Sequence, residues 1–230
     1  WTLPSNTALT VGKKIKYVLI RTFNLYTYKS INVILAKDLI PKVFKGNFVE
    51  IENEDDLRFD SIKNIPYLVC EDFTGDELVG INYYQLWENA PKPAINPENA
   101  FRVISGDFVT TEDGTGVVHT APTFGADDAI AAKNAVPEVP PMLIYNENKE
   151  LVPLVDFQGK FIDSLDEIGG KYVKNEYYSN EDAPEKSVDV EIAIRLKQQN
   201  KAFRVEKYTH SYPNCWRTDK PILYLSLIHI

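Results

Sequence analysis

The sequence has 230 residues, 44% hydrophobic and 25% charged, with a formal net charge of −8. That length allows one large or two small domains with a sizeable core, and no run of about 18 apolar residues suggests a membrane span. The acidity argues against tight free-standing binding of RNA or DNA, because phosphate contacts carry most of that affinity; it leaves open a module that receives a nucleic acid held by a neighbouring domain.

In chain order, KKIKYVLIRTF (13–23) and INVILAKDLI (31–40) alternate loosely and are rich in Val, Ile and Tyr. They read as two strands around a polar turn near 28–30. AKDLIPKVF offers one or two helical turns before Pro41 and Gly46 interrupt, and FVEIENEDD and IPYLVCEDF continue the mixed pattern. GDELVGINYYQL reads as a strand leading into a loop, and the Pro/Asn-rich WENAPKPAINPENA is irregular. AFRVISGDFVTTEDGTGVVHTAP predicts two strands joined as a hairpin around TEDGTG.

GADDAIAAKNA predicts a short helix from Ala126, with Asp127 and Asp128 in its first turn. VPEVPPMLIY is a proline-stiffened connection. SVDVEIAIRLKQQNKA is the clearest helix: Ser187 is the expected N-cap, and Val188, Ile192 and Leu196 line one face. FRVEKYTHSYPNCWR returns to strand and then loop. Short strands dominate, helices are few and no βαβ rhythm is present, so the expected class is α+β with a barrel-like or strongly curved sheet. Leu225–Ile230, LSLIHI, is what one reading frame of a common transposon-end sequencing adapter encodes. It is expected to be a non-native tail, which sets His229 aside, and 1–224 is expected to be a fragment of a longer protein.

The chemistry-bearing residues are sparse. Cys70 and Cys215 read as reduced thiols of a cytosolic protein, with a single bridge as the alternative. His119 with Asp127 or Asp128 does not close a zinc site, and His210 with Cys215 fits no standard finger or zincin spacing, so no metal is expected. Neither cysteine has a nucleophile context and there is no G-x-S-x-G elbow. A third reading makes one aspartate a dipole partner at the helix start while the other holds an ammonium group, with His119 facing the same pocket. The alternative is that both aspartates only start the helix and His119 is a satisfied core or edge histidine.

WTLPSNTALTVG, GTGVVHTAPTFGADDA and DVEIAIRLKQQNKAFRVEKYTHSYPNCWRTDKPILY together resemble the editing insertion of class I isoleucyl-tRNA synthetases, from Trp1 to Tyr224 and in the same order. Valyl and leucyl relatives usually carry an acidic residue where Trp1 stands and lack the histidine of VHTAP. The resemblance implies a β-barrel-like α+β module, inserted into a Rossmann-type catalytic domain. It hydrolyses valine mischarged onto isoleucine tRNA. One methylene is worth too little binding energy for accurate selection, and isoleucine against valine is the standard example of that limit.

By the same resemblance, Asp128 holds the α-ammonium and His119 lines the pocket near the ester and the terminal ribose. Trp1 walls the small side chain, Tyr212 is a second wall, and Thr2 fixes water and ribose. The attacking water is activated partly by the substrate's own ribose hydroxyl. Asp127, Gly114, Gly116 and Pro122 are structural. Many members carry a second histidine where Phe124 stands, and another branch has Phe. No HIGH or KMSKS signature occurs, so the ATP-dependent charging step is not expected of this chain. No cofactor is implied. The implied partners are the acceptor end of the charged tRNA and the rest of the parent synthetase, in the cytoplasm. A non-catalytic barrel domain that recognises the acceptor end or a protein partner is the rival reading, and a metal-dependent small-ester hydrolase a third.

Overall fold

A computed structural model describes residues 1–179, 181–207 and 212–225. The expectations on His210, on His229 and on the tail beyond Leu225 lie outside the described residues. The strands are β1 Ala8–Val11, β2 Lys16–Phe23, β3 Ser30–Ala36, β4 Phe48–Glu50, β5 Ile65–Thr74, β6 Arg102–Ser105, β7 Val117–Thr120, β8 Leu143–Tyr145 and β9 Leu151–Pro153. The helices are α1 Ile40–Val43, α2 Gly75–Leu78, α3 Ala126–Asn134 and α4 Val188–Gln198.

Among the described residues three sheets form, ordered β6-β1-β7, β3-β2-β5-β4 and β8-β9. The class is mixed α+β, and among the described residues no sheet closes into a barrel. β2 and β3 pair antiparallel from Tyr17↔Ala36 to Phe23↔Ser30, as their alternation predicts. β2 buries Val18, Ile20 and Thr22 on one face and Tyr17 on the other, where it meets Gly116. Its register with β5 shifts between Leu19 and Ile20, a bulge that adds local bend. The core around this sheet includes Val11, Leu35, Phe44, Ile65 and Val103. A second core gathers Trp87, Phe101, Met142, Leu154, Phe161, Leu165 and the inner face of α4.

The hairpin expected across 102–120 does not form. β1 lies between its two arms, parallel to β6 and antiparallel to β7. The turn is held elsewhere: Ala36 N–H donates to Thr115 O at 2.8 Å, and Tyr17 O–H donates to Gly116 O at 2.6 Å. Gly116 is buried with φ +74°, and a Cβ there would stand 2.5 Å from the Ala36 Cβ. Docking the turn on the four-stranded sheet spreads the arms and leaves room for β1.

Other differences are local. GDEL is a helical turn rather than a strand: the Glu77 carboxylate accepts the Thr74 N–H at 2.7 Å and the Thr74 hydroxyl at 2.8 Å. Pro41 sits in the first turn of α1, where its missing N–H has no helical partner to lose. α3 and α4 span the predicted stretches, and Val188, Ile192 and Leu196 are buried. Ser187 occupies the N-cap with extended backbone and its carbonyl takes the Glu191 N–H at 3.1 Å, but its hydroxyl makes no cap bond. No strand follows α4 among the described residues. Cys70 is exposed and Cys215 half-buried, both free. Among the described residues no helix is long and apolar enough to cross a membrane.

Candidate functional site

The segment before β1 and the end of β7 meet because β1 and β7 are neighbours, with Leu9 opposite His119. A Thr7 N–H to Thr120 O bond of 3.1 Å carries the pairing one residue beyond the strands. This brings Thr2 and Asn6 to the His119 ring. Thr2 Oγ1 lies 3.0 Å from Nε2, and Asn6 Nδ2 lies 2.9 Å from Nδ1.

Asn6 determines the tautomer. Its Nδ2 also donates to Ala8 O at 2.7 Å and Thr120 O at 3.3 Å, and its Oδ1 accepts the Tyr83 hydroxyl at 2.5 Å. Two carbonyl acceptors and one hydroxyl donor leave a single orientation for the amide, whose two N–H hydrogens serve three acceptors, the longer Thr120 O contact sharing a hydrogen. Nδ2 therefore donates to His119 Nδ1, the ring proton sits on Nε2, and Nε2–H donates to Thr2. Burial, with a smaller contribution from the nearby Trp1 ammonium, lowers His119 to about 4. At neutral pH the ring is uncharged and its acceptor nitrogen is occupied. It orients Thr2, whose hydroxyl keeps its own hydrogen for another acceptor; it is not placed to take a proton.

Asp128 reaches the same strand end through the backbone. Its Oδ2 accepts the Ala121 N–H at 2.8 Å, two residues past His119. Oδ1 accepts no hydrogen bond among the described residues. The approach needs a glycine: a Cβ on Gly125, the N-cap of α3, would lie 2.9 Å from the Asp128 Cγ and Oδ2. Burial raises the Asp128 carboxyl, the Ala121 N–H partly offsets this, and Asp127 raises it further. Asp128 is half-buried whereas Asp127 is exposed.

The Ala121–Phe124 turn, closed by a 2.9 Å Phe124 N–H to Ala121 O bond, brings Phe124 onto Trp1. Their ring centroids are 4.9 Å apart at 67°, an edge-on contact. Both pack against the second core. Tyr212 is partly exposed with the Lys174 ammonium over its ring at 4.9 Å, and its phenol is raised by burial and then by the charge of Asp189. A cleft of about 330 Å³ runs from Phe124 past Asp156, Phe157 and Tyr177 to Leu223 and Leu225. Another of about 370 Å³ lies along α3, with Asp127 rather than Asp128 on its wall. Neither is lined by His119 or Thr2. Among the described residues no three His, Cys, Asp or Glu side chains are grouped to hold a metal ion.

Sequence reasoning did not find Asn6, Tyr83 or the Trp1–Phe124 pairing. Asn6 is 113 residues from His119, so no local spacing announces it.

No model of a known protein family matches the chain. Curated relatives do. The chain is 48% identical over 242 residues to a protein of Cytophaga hutchinsonii named isoleucine–tRNA ligase. It is 47% identical over 244 residues to the protein of that name in Bacteroides fragilis and 45% over 246 in Porphyromonas gingivalis. Each match covers 99% of the chain and 21% of the relative. By sequence, the chain belongs with the isoleucine–tRNA ligases, as a segment about one fifth of their length.

Proposed function

We propose that the chain is the editing module of an isoleucyl-tRNA synthetase and hydrolyses the ester of valine misattached to isoleucine tRNA. In this reading its three- and four-stranded sheets, joined through Gly116, make an open, barrel-like insertion. Its partners are the acceptor end of the charged tRNA and the rest of the synthetase, in the cytoplasm. The observation that carries the reading is the neutral His119 held between Asn6 and Thr2, with half-buried Asp128 at the same strand end and the Trp1–Phe124 pair beside them.

Each residue has a defined part. Asp128 offers Oδ1 to the α-ammonium and so orients the ester. Trp1, backed by Phe124, limits the side chain that enters, with Tyr212 as the second wall. Thr2, fixed by His119, donates its hydroxyl hydrogen to the ribose or the attacking water. Water oxygen bonds to the ester carbon, the carbon–ribose oxygen bond breaks, and the water's proton passes by way of the neighbouring ribose hydroxyl to the departing ribose oxygen. Valine and uncharged tRNA result. No protein side chain has to act as the base, in keeping with the occupied Nδ1 of His119.

The test is deacylation of valine-charged and isoleucine-charged isoleucine tRNA, by the chain itself and by a full-length ligase carrying it. The valine ester is expected to be lost at least tenfold faster than the isoleucine ester, with or without chelator. Binding of charged tRNA without hydrolysis of either ester establishes the non-catalytic reading instead, and loss of hydrolysis with chelator establishes a metal-dependent esterase.

A further inference from the structure

Tyr83 is 77 residues from Asn6 in sequence, yet its hydroxyl heads the series of bonds that ends at Thr2. Residues 80–83 run beside the start of β6. Gly80 N–H donates to Val103 O at 2.9 Å, Val103 N–H to Ile81 O at 2.8 Å and Tyr83 N–H to Phe101 O at 2.8 Å. From there the Tyr83 side chain reaches the segment before β1, where its O–H donates to Asn6 Oδ1 at 2.5 Å.

Phe101 secures that approach. Its N–H donates to Thr7 O at 2.7 Å while its carbonyl takes the Tyr83 N–H, so one residue ties the neighbour of Asn6 to Tyr83. In a regular strand the N–H and C=O of one residue point to the same side. Phe101 serves both sides with φ +58°, a left-handed backbone that a bulky residue rarely adopts and that persists only where its surroundings hold it. Phe101 is 8% exposed, and its ring meets the Tyr83 ring edge-on, with centroids 6.2 Å apart at 85°. Burial holds the Tyr83 phenol above its ordinary range, so at neutral pH it is a donor.

The side-chain bonds then run one way. Tyr83 O–H donates to Asn6 Oδ1, Asn6 Nδ2–H to His119 Nδ1 and His119 Nε2–H to Thr2 Oγ1. Hydrogen bonds in series polarise one another, so a donor on Oδ1 strengthens what Nδ2 gives to the ring. The Ala8 and Thr120 carbonyls hold Nδ2. Among the described residues, Tyr83 is the one group that bonds Oδ1.

We infer that Tyr83 is a positioning residue of the site: through Asn6 and His119 it sets how firmly the Thr2 hydroxyl is aimed at the reacting ester. The inference rests on the editing reading for its consequence and on the Tyr83–Asn6 bond for its substance. Tyr83→Phe removes the hydroxyl and keeps the ring against Phe101. Tyr84→Phe removes the hydroxyl of the neighbouring tyrosine, which is 98% exposed, and is the control.

Two readouts separate the inference from that reading. The first is nitrogen NMR of the chain labelled with nitrogen-15 histidine. The sequence has three histidines, and His119→Gln assigns the one concerned. In Tyr83→Phe the ring proton is expected to stay on Nε2, because the two carbonyls still orient the amide. The Nδ1 resonance is expected to move towards that of a nitrogen with no donor. The titration of His119 is expected to move upward from about 4, because the neutral ring has lost part of what favoured it. Tyr84→Phe is expected to match the parent. The second is deacylation of valine-charged isoleucine tRNA by the chain and by a full-length ligase carrying it. In Tyr83→Phe, kcat is expected to fall at least about fivefold with KM within about twofold, because Thr2 acts on the reacting ester while Asp128 still takes the α-ammonium. A His119 unmoved in both shift and titration overturns the inference whatever the activity. A moved His119 with unchanged kcat overturns the link to Thr2. A rise in KM without a fall in kcat, or an equal loss in Tyr84→Phe, overturns the positioning role. If the parent hydrolyses neither ester, the editing reading falls, and the nitrogen spectra still decide whether Tyr83 acts on His119.

Discussion

Removing the Asn6 amide is the sharpest test of how the site is held. Asn6 is 4% exposed, and its side chain serves the His119 ring, the Tyr83 hydroxyl and two backbone carbonyls. In Asn6→Ala the Thr120 carbonyl keeps its bond from Thr7 N–H, but His119 Nδ1 and the Tyr83 hydroxyl lose their partners in a partly buried place. An orphaned buried polar group costs about 1–3 kcal/mol, so two of them cost about 2–6 kcal/mol, with partial exposure favouring the lower end. That is a large part of the roughly 5–15 kcal/mol that holds a typical domain together. Urea unfolding measures it as a lower midpoint at unchanged slope. Asn6→Asp probes the chemistry rather than the stability. A carboxylate facing Nδ1 accepts and cannot donate, so the ring must carry a proton there, and the opposite charge favours the imidazolium. NMR titration of His119 should then move upward from about 4. An Asn6→Ala protein within about 0.5 kcal/mol of the parent, or an Asn6→Asp protein whose His119 still titrates near 4, refutes the bonding scheme.

The depressed His119 makes stability depend on pH. Below about 6.5 the unfolded chain takes up a proton that the folded ring, at about 4, does not, so stability is lost as pH falls across that window, by up to about 3 kcal/mol. The raised Asp128 acts in the opposite sense, so the measurement is the difference between parent and His119→Gln unfolding curves from pH 7 to 4; parallel curves would sink the assignment. Asp128→Ala should slow valine ester hydrolysis roughly 30- to 1,000-fold, about 2–4 kcal/mol, whereas Asp127→Ala should cost under about 1 kcal/mol. Asp128→Asn keeps an acceptor for the Ala121 N–H and loses the charge. If it matches the parent in single-turnover hydrolysis, Asp128 serves the fold alone.

What the sequence disclosed follows from range. β2 with β3, α3 and α4 are legible because alternation and 3.6-residue spacing are local properties, and Val188, Ile192 and Leu196 face inward as that spacing requires. The T-x-x-E of Thr74–Glu77 was also present, but the apolar run after it suggested a strand instead. The hairpin over 102–120 was misjudged because its arms are separated by β1, nearly a hundred residues earlier, and no window of the sequence contains that competition. The site divides the same way. Asp127 and Asp128 announced a helix start, and VHTAP carried His119 through its resemblance. Asn6 acts only across 113 residues, where spacing says nothing.

The central place of β1 also bears on how the chain is made. β1 leaves the ribosome well before both strands that flank it, and Asn6 finds His119 only after 113 further residues. At roughly 5–20 residues per second, that is an interval of about 6–20 s. Until β6 emerges, a short strand destined for the middle of a sheet has two unpaired edges, and until β7 emerges it has one. The four-stranded sheet can be complete by then, since β2 to β5 end at Thr74. It supplies Ala36 and Tyr17 as the anchor for the Thr115–Gly116 turn as soon as that turn emerges. The finished sheet thus offers a template on which β7 can be delivered to its partner, and Asn6 waits longer for its ring than the four-stranded sheet waits for its last strand.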